Sequence, residues 1–581
     1  MTPTRTSFDF WRDRLRASAL HLGISLGIAP PGRRRSCHPA AGFILKHDFK
    51  KNKPPALINR TKLAIIFIAT LAAGLATAQT APAPSAAPAP PTGPRSSLPN
   101  LGDGSDLTHS AERHLGDRIA RQLYQDTDYI DDPVIMEYVQ GIWQPLLKAA
   151  RERGELPPAM DEAYAWKILL SKDRTVNAFA LPGAYFGLHL GMVATVTNRA
   201  ELASVMAHEL SHVTQRHISR MMSRQSAQAP WMLGAMILGV LAASKSIDGA
   251  NAMIMGGQAV AAQSQLNFTR DMEREADRVG YLIATQAGYA PQGFVSMFEK
   301  LQQASKLTDN GSFPYLRSHP LSTERMADMQ SRIPQGIGGP VIVVPLEMDH
   351  AIVSARARVL SKSAVDALRA WADEVQPEAL QRLPLSQQAG LLYGAALAAA
   401  KLRDAPQAQA LLKRLDSAVQ SDLPAKQLAR LLAAEIQLMQ SKPAQALALM
   451  QAEIAPAATP AAAPPNTSRA ALFLRSQAAT QSGVAQPQSL QDWVAAQPHD
   501  AQAWQLLAQA YAAQGRVISG IRAEAEANVA QLDYAAALAR LRSAQDQIRA
   551  GSKGVDHIEA SIVDTRARQI EALSLEQALK R

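Results

Sequence analysis

His208 and His212 stand four residues apart, and Glu209 follows the first of them directly. The apolar residues Leu202, Val205, Met206, Leu210 and Val213 recur around them at three- and four-residue intervals. That spacing predicts a helix over residues 200–220 with one face turned inward. On such a helix the two imidazoles lie one turn apart on the same side. They can then share one zinc ion. Glu209 can reach a water held there and take its proton, and the resulting chemistry is hydrolysis of an amide bond. The competing reading is a helix with two surface histidines. A hydrolytic zinc site would also require a third protein ligand and an open fourth position.

A candidate ligand follows in Glu273-Arg274-Glu275-Ala276-Asp277. Glu273 and Asp277 are four apart and share a helix face. Like charges at that spacing destabilise an exposed helix by about a few tenths of a kcal/mol, a penalty that a bound cation reverses. The alternative is a solvated face on which Arg270, Arg274 and Arg278 supply counter-charge. Spacing alone leaves Glu273 and Glu275 both open as the third ligand.

H-E-L-S-H-V-T-Q-R-H from His208 to His217, followed by E-R-E-A-D-R-V-G from Glu273 to Gly280, resembles the HtpX and CAAX-prenyl-protease family of zinc peptidases. The resemblance implies a gluzincin-type α+β metalloprotease domain, mostly helical with a small sheet. It implies one Zn2+ per chain, held by His208, His212 and Glu273. Glu209 would be the catalytic base, and Asp277 would orient a ligating imidazole. A further segment, Arg317-Ser318-His319-Pro320-Leu321-Ser322-Thr323-Glu324-Arg325, resembles a loop of the family's periplasmic branch, whose members carry tetratricopeptide repeats. Carried over, His319 is either a self-inhibitory metal ligand or an electrophile for the transition state. A histidine before a proline can also be an ordinary turn residue.

The formal net charge of +10 invites a nucleic-acid reading, but its location removes that reading. Residues 1–78 hold 13 basic and 3 acidic residues, which leaves 47 of each sign in the rest of the chain. The excess therefore belongs to the leader, and no basic surface is implied beyond it. Lys62, an apolar run over residues 63–75 and Ala76-Thr77-Ala78 before Gln79 together describe a secretory signal peptide cleaved after Ala78. The run is short of the roughly 20 residues that span a bilayer. No Cys follows it, which argues against a lipid anchor. Residues 1–60 form a basic extension ahead of that signal and suggest a mis-called start near Leu57. The sole cysteine, Cys37, lies in this extension, so the exported protein is expected to have no disulfide.

Residues 79–104 are rich in Ala and Pro and read as a disordered linker. Residues 105–345 are the expected protease domain, with helix over about 106–147 and a strand at 166–170. Strands at 176–181 and 184–188 are expected to flank a turn at Pro182-Gly183. Asn177, Ala178, Phe179, Ala180 and Leu181 are candidates for the strand that binds substrate backbone as an added strand; they are also compatible with plain core sheet. Residues 230–262, rich in Met, Ala, Gly and Leu, read as buried helix, as a mobile flap or as a surface for apolar clients. From residue 351 onward the chain is rich in Ala, Leu and Gln. Trp504, Leu507, Ala508, Tyr511, Gly515, Gly520 and Ala527 follow tetratricopeptide spacing. Residues 533–538 resemble part of a following repeat, and 392–397 with Ala408 and Leu411 suggest an earlier, degenerate one. Residues 455–465 form a Pro/Ala insert between repeats. Residues 351–581 are thus expected to form an all-α tetratricopeptide-like superhelix that holds peptides or partner proteins.

The whole implies an exported zinc endopeptidase. By resemblance it would act in the periplasm, peripheral to the outer membrane, on unfolded or stalled outer-membrane proteins. It would have a chaperone-like part in β-barrel assembly, with the repeats possible contacts for the assembly machinery and no nucleic acid as partner. The rival function is a non-proteolytic assembly factor with a latent zinc site. An intact Glu209 argues against that rival, because a structural site has no use for a general base.

Overall fold

The computed structural model describes residues 107–224, 270–306, 313–333, 346–451, 468–551 and 556–579. The expected leader, linker, apolar 230–262 segment and 455–465 insert lie outside the described residues.

The protease part opens with helix α1 (His109–Tyr124), a short strand β1 (Tyr129–Ile130) and helix α2 (Pro133–Glu152). The helix expected over 106–147 is therefore two helices. Thr108 caps α1 by accepting the Ala111 N–H, and Asp132 caps α2 by accepting the Ile135 N–H. Helix α3 (Pro158–Ala163) leads to β2 (Lys167–Ser171), β3 (Ala178–Leu181) and β4 (Tyr185–His189). The sheet runs β1-β2-β4-β3, with β2 and β4 parallel and the other pairs antiparallel. The turn at Pro182-Gly183 is a short 3-10 helix, Pro182–Ala184. Gly183 has φ +70°, and a Cβ there would fall 2.8 Å from the Arg113 Cα. Both its conformation and the space around it call for glycine.

Among the described residues strand β3 lies at the sheet edge and pairs with β4 alone. The proposed substrate strand is shorter than expected, because Asn177 precedes β3 and its carbonyl accepts the His189 N–H. Phe179 lies across Gly187 of β4, so closely that a Cβ on Gly187 would meet its ring at 2.2 Å. That aromatic side chain covers its own sheet.

Helix α4 (Leu190–Thr195) connects β4 to α5 (Arg199–Thr214), the helix of the H-E-x-x-H motif. Asn198 caps α5 by accepting the Glu201 N–H. The helix expected over 200–220 stops at Thr214. Arg216 takes φ +52°, the chain turns, and α6 (His217–Arg224) begins. Nor is α5 amphipathic. Almost every residue from Ala200 to Thr214 is buried, because α2, β3, α7 (Arg270–Gln286) and α8 (Gln292–Lys306) pack around it. Two shorter helices, α9 (Tyr315–Ser318) and α10 (Thr323–Arg332), hold the loop that carries His319.

Beyond residue 346 the described chain is entirely helical, in successive helices from Met348–Ser361 to His557–Leu579. Leu507, Ala508 and Tyr511 of Ala501–Ala513 pack with Phe473, Leu490, Val494 and Ala523 of neighbouring helices. Gly515 closes its helix at φ +73°, where the left-handed conformation favours glycine. The helix α11 (Met348–Ser361) belongs to both parts. Val353 and Ala357 lie in the protease core, whereas Ile352 and Val359 lie in that of the following helices. Among the described residues no helix is long and apolar enough to cross a membrane.

Candidate metal centre

Three separate segments deliver the site. Helix α5 supplies His208, Glu209 and His212, α7 supplies Glu273 and Asp277, and the loop after α9 supplies His319. All six are at most 3% exposed. The close approach of α7 to α5 depends on Gly280, where a Cβ would lie 3.0 Å from backbone atoms of Ala207 and His208. One atom each from His208, His212, Glu273 and His319 can be chosen so that all lie within 4.8 Å of one another.

The individual contacts show what that cluster is made of. His208 Nε2 faces His212 Nε2 at 3.0 Å and His319 Nδ1 at 3.3 Å. Glu273 places Oε2 3.5 Å from His208 Nε2, and Oε1 3.4 Å from His212 Nε2 and 3.0 Å from His319 Nδ1. Acceptor atoms facing one another at these distances need a proton or a cation between them. The protein itself supplies one. Burial disfavours charge on His208, but Asp277 and Glu273 overcome it and hold its pKa up at about 10. His212, penalised by burial and by the charge on His208, stays well below the usual histidine range despite Glu273. Glu273 is ionised against the cost of burial because His319, His208 and His212 surround it. A metal ion would take the place of that proton among the same atoms. Glu209 Oε1 and Glu273 Oε2 reinforce the fit. Both are buried without a well-directed hydrogen bond, although His319 Nε2 lies 3.2 Å from the first and Arg325 Nη1 2.8 Å from the second. The residues fit a buried, nitrogen- and carboxylate-liganded cation.

Glu209 touches the cluster differently from the four donors. Its Oε2 accepts the Ala180 N–H of β3 at 3.0 Å, which fixes the carboxylate between the edge strand and the cluster. Burial raises its pKa, against the pull of His319 and His208. Asp277 accepts from His208 Nδ1 at 2.9 Å and is kept ionised by Arg325 in spite of its burial. Glu275, the rival ligand, is turned away. It meets His217 Nε2 at 3.1 Å and Arg220 Nη1 at 2.8 Å.

Two residues of the site had no role assigned from sequence. Arg325 donates Nε and Nη2 to Asp277 and Nη1 to the Pro320 carbonyl. It closes the segment quoted for His319, and its place there was the available signal. Tyr315 stacks on the His319 ring at 4.6 Å, and its backbone carbonyl accepts the His319 N–H.

Residues 145–333 match the profile of peptidase family M48. This segment is similar to M48 peptidases. Every member of the donor cluster, which could hold a metal ion, falls within the matched segment. The chain is 32% identical over 327 residues to a putative beta-barrel assembly-enhancing protease of Vibrio cholerae, covering 55% of this chain and 63% of the relative. That alignment spans less than two-thirds of the Vibrio protein. Identity to the beta-barrel assembly-enhancing protease of Escherichia coli is 29% over 522 residues, 86% of this chain and 96% of the relative. A mitochondrial metalloendopeptidase of Saccharomyces cerevisiae is 26% identical over 222 residues, 37% of this chain and 61% of that one.

Proposed function

We propose that the chain is an exported zinc endopeptidase that acts on unfolded or stalled outer-membrane proteins in the periplasm. The observation that carries this reading is the convergence of His208, His212, Glu273 and His319 beside Glu209, within the segment similar to M48 peptidases. His208, His212 and Glu273 would hold one zinc ion. When bound, zinc supplies Lewis acidity toward a water and toward the scissile carbonyl. Glu209 takes the proton of the attacking water and returns it to the leaving amine, held in place meanwhile by the Ala180 N–H. Asp277 keeps His208 in one orientation. The outer edge of β3, Ala178–Leu181, accepts the substrate backbone as an added strand through the groups that remain beside the Ala180 N–H, which stays with Glu209, and lays it alongside that carboxylate.

The loop of His319 lies over this machinery, with its ring between Glu209 and Glu273. There it restrains the site by competing with substrate. The helices after residue 346 form a tetratricopeptide-like scaffold that presents clients to the protease or docks it on the β-barrel assembly machinery. Support comes from the small-residue spacing of 501–530 and from relatives named for β-barrel assembly.

Cleavage of an unfolded protein such as casein, compared between wild type and Glu209→Gln, tests the reading. The variant is expected to bind zinc like wild type and to lose about 10^2- to 10^4-fold in cleavage rate. Cleavage by the zinc-loaded variant at the wild-type rate would exclude Glu209 as the base. A wild type that binds zinc but cleaves no unfolded protein would favour the assembly-factor function.

A further inference from the structure

The two metal-facing histidines are backed by different groups. His208 Nδ1 meets the carboxylate of Asp277 directly. His212 Nδ1 instead lies 2.8 Å from Nδ1 of another imidazole, His217, which is fully buried. His217 Nε2 meets Glu275 Oε2 at 3.1 Å, and Arg220 Nη1 meets the same oxygen at 2.8 Å. The chain of contacts runs from the cluster towards the surface, since Glu275 and Arg220 are part-exposed.

The chemistry of imidazole orders the protons along this chain. A neutral imidazole has one N–H and one lone pair. If His212 offers the Nε2 lone pair to a metal, its proton is on Nδ1. That proton is donated to His217, which must accept at Nδ1 and so carries its own proton on Nε2. Glu275 accepts the second proton, and Arg220 anchors Glu275. Every donor meets an acceptor in this arrangement, and moving any one proton leaves two lone pairs or two N–H groups opposed.

The backbone is bent to make the contact. The helix α5 ends at Thr214, and Arg216 adopts φ +52°, a left-handed conformation unfavourable for a residue with a Cβ. Arg216 is held in that turn by its Nη2 contacts with the Leu107 carbonyl and Ser219 Oγ. An uninterrupted helix would place His217 five residues, or 500°, beyond His212, well around the helix from it. The turn instead returns His217 to Nδ1 of His212.

We infer that His217, backed by Glu275 and Arg220, is a positioning residue that fixes the tautomer and orientation of His212 for metal binding. The inference rests on the zinc reading above and adds a second supporting line to the site, separate from Asp277 and Arg325. Its backing group is a neutral imidazole. His212 is thereby oriented without a second carboxylate placed directly behind it.

Zinc affinity, measured by chelator competition, tests this on wild type, His217→Asn, His217→Gln and His217→Ala, with the melting temperature of each metal-free protein measured alongside. The Asn amide oxygen can occupy the place of Nδ1 and accept from His212, whereas the Gln amide reproduces the place of Nε2. His217→Asn is expected to stay within a few-fold of wild type. His217→Gln and His217→Ala are expected to lose about 10- to 100-fold, the range found when groups behind a metal-binding histidine are removed. Equal affinity in all four proteins overturns the inference, as does an Asn variant that loses as much as the Ala variant. If His217→Gln does not fold, the contrast of Asn with Ala decides. A wild type that binds no zinc overturns the metal reading itself, whereas a wild type that binds zinc with no Asn–Ala difference overturns only the role of His217.

Discussion

Arg325 grips Asp277 with two hydrogen bonds, Nε to Oδ2 at 2.6 Å and Nη2 to Oδ1 at 2.8 Å, and its third nitrogen donates to the Pro320 carbonyl at 2.8 Å. One guanidinium thus ties the carboxylate behind His208 to the loop that carries His319. Loop and ligand shell are parts of one buried network.

Replacing Arg325 with Met removes from Asp277 and Glu273 one of their buried counter-charges, leaving only the imidazoles. Breaking a buried pair by removing one partner costs roughly 3 to 5 kcal/mol. Arg325→Met is therefore expected to lower the stability of the metal-free protein by about that much in denaturant unfolding. Arg325→Lys is expected to recover only part of the loss, because an ammonium cannot reproduce the two parallel bonds. A Lys variant as stable as wild type would show that charge alone matters at this position.

Gly280 sets the distance between the two ligand-bearing helices. A Cβ 3.0 Å from the Ala207 carbonyl carbon and the His208 nitrogen forces a shift of a few tenths of an ångström. Gly280→Ala is expected to weaken zinc binding modestly, and Gly280→Val to weaken it further, since its γ carbons extend into the same contact. The order wild type, Ala, Val in chelator competition is the check. Unchanged affinity in the Val variant would mean that α7 can slide without moving Glu273.

The chemistry was legible where it is local. H-E-x-x-H and Glu273 with Asp277 are statements about residues four apart, and a helix brings such residues together whatever surrounds it. His217 and Glu275 were illegible for the opposite reason. Their contact depends on α5 ending at Thr214, and an arginine in a left-handed turn leaves no mark that a periodicity argument can read. Residues 200–220 looked amphipathic, yet α5 is buried on all sides, because its histidines and glutamates find partners inside. The seam between protease and repeats was expected near residues 345–351. The helix that follows it, α11, packs into both cores, and its polar residues, among them His350, Ser354, Arg356 and Arg358, are not gathered on one face that would assign it to either.

His319 sits between Glu209 and Glu273, stacked on Tyr315 and 2% exposed. A side chain so placed occupies space that the base and the substrate carbonyl need. His319→Ala is expected to raise cleavage of unfolded protein and to broaden the range of proteins cut, with zinc retained. The rate on casein, with metal content measured on the same sample, is the check. A loss of cleavage at full zinc content would assign His319 to the transition state, and an unchanged rate would make the loop an ordinary turn.

Arg356 joins the two parts of the chain. It donates to Asp132 at 2.9 and 2.7 Å, to Glu435 at 2.7 and 3.2 Å, and to the Tyr393 hydroxyl at 3.1 Å. Asp132 also caps α2 through the Ile135 N–H, so the same carboxylate starts a protease helix and receives a charge from α11. Removing the guanidinium in Arg356→Met strands acidic groups on both sides of the seam, at a cost of roughly 3 to 5 kcal/mol. Hydrogen exchange is expected to quicken together at the first turn of α2 and around Glu435, two places far apart in sequence that share this one cation. The metal cluster does not touch Arg356, so zinc affinity measured under folding conditions should stay near the wild-type value. Faster exchange confined to one side of the seam would show that α11 belongs to a single part and that the repeats and the protease open independently.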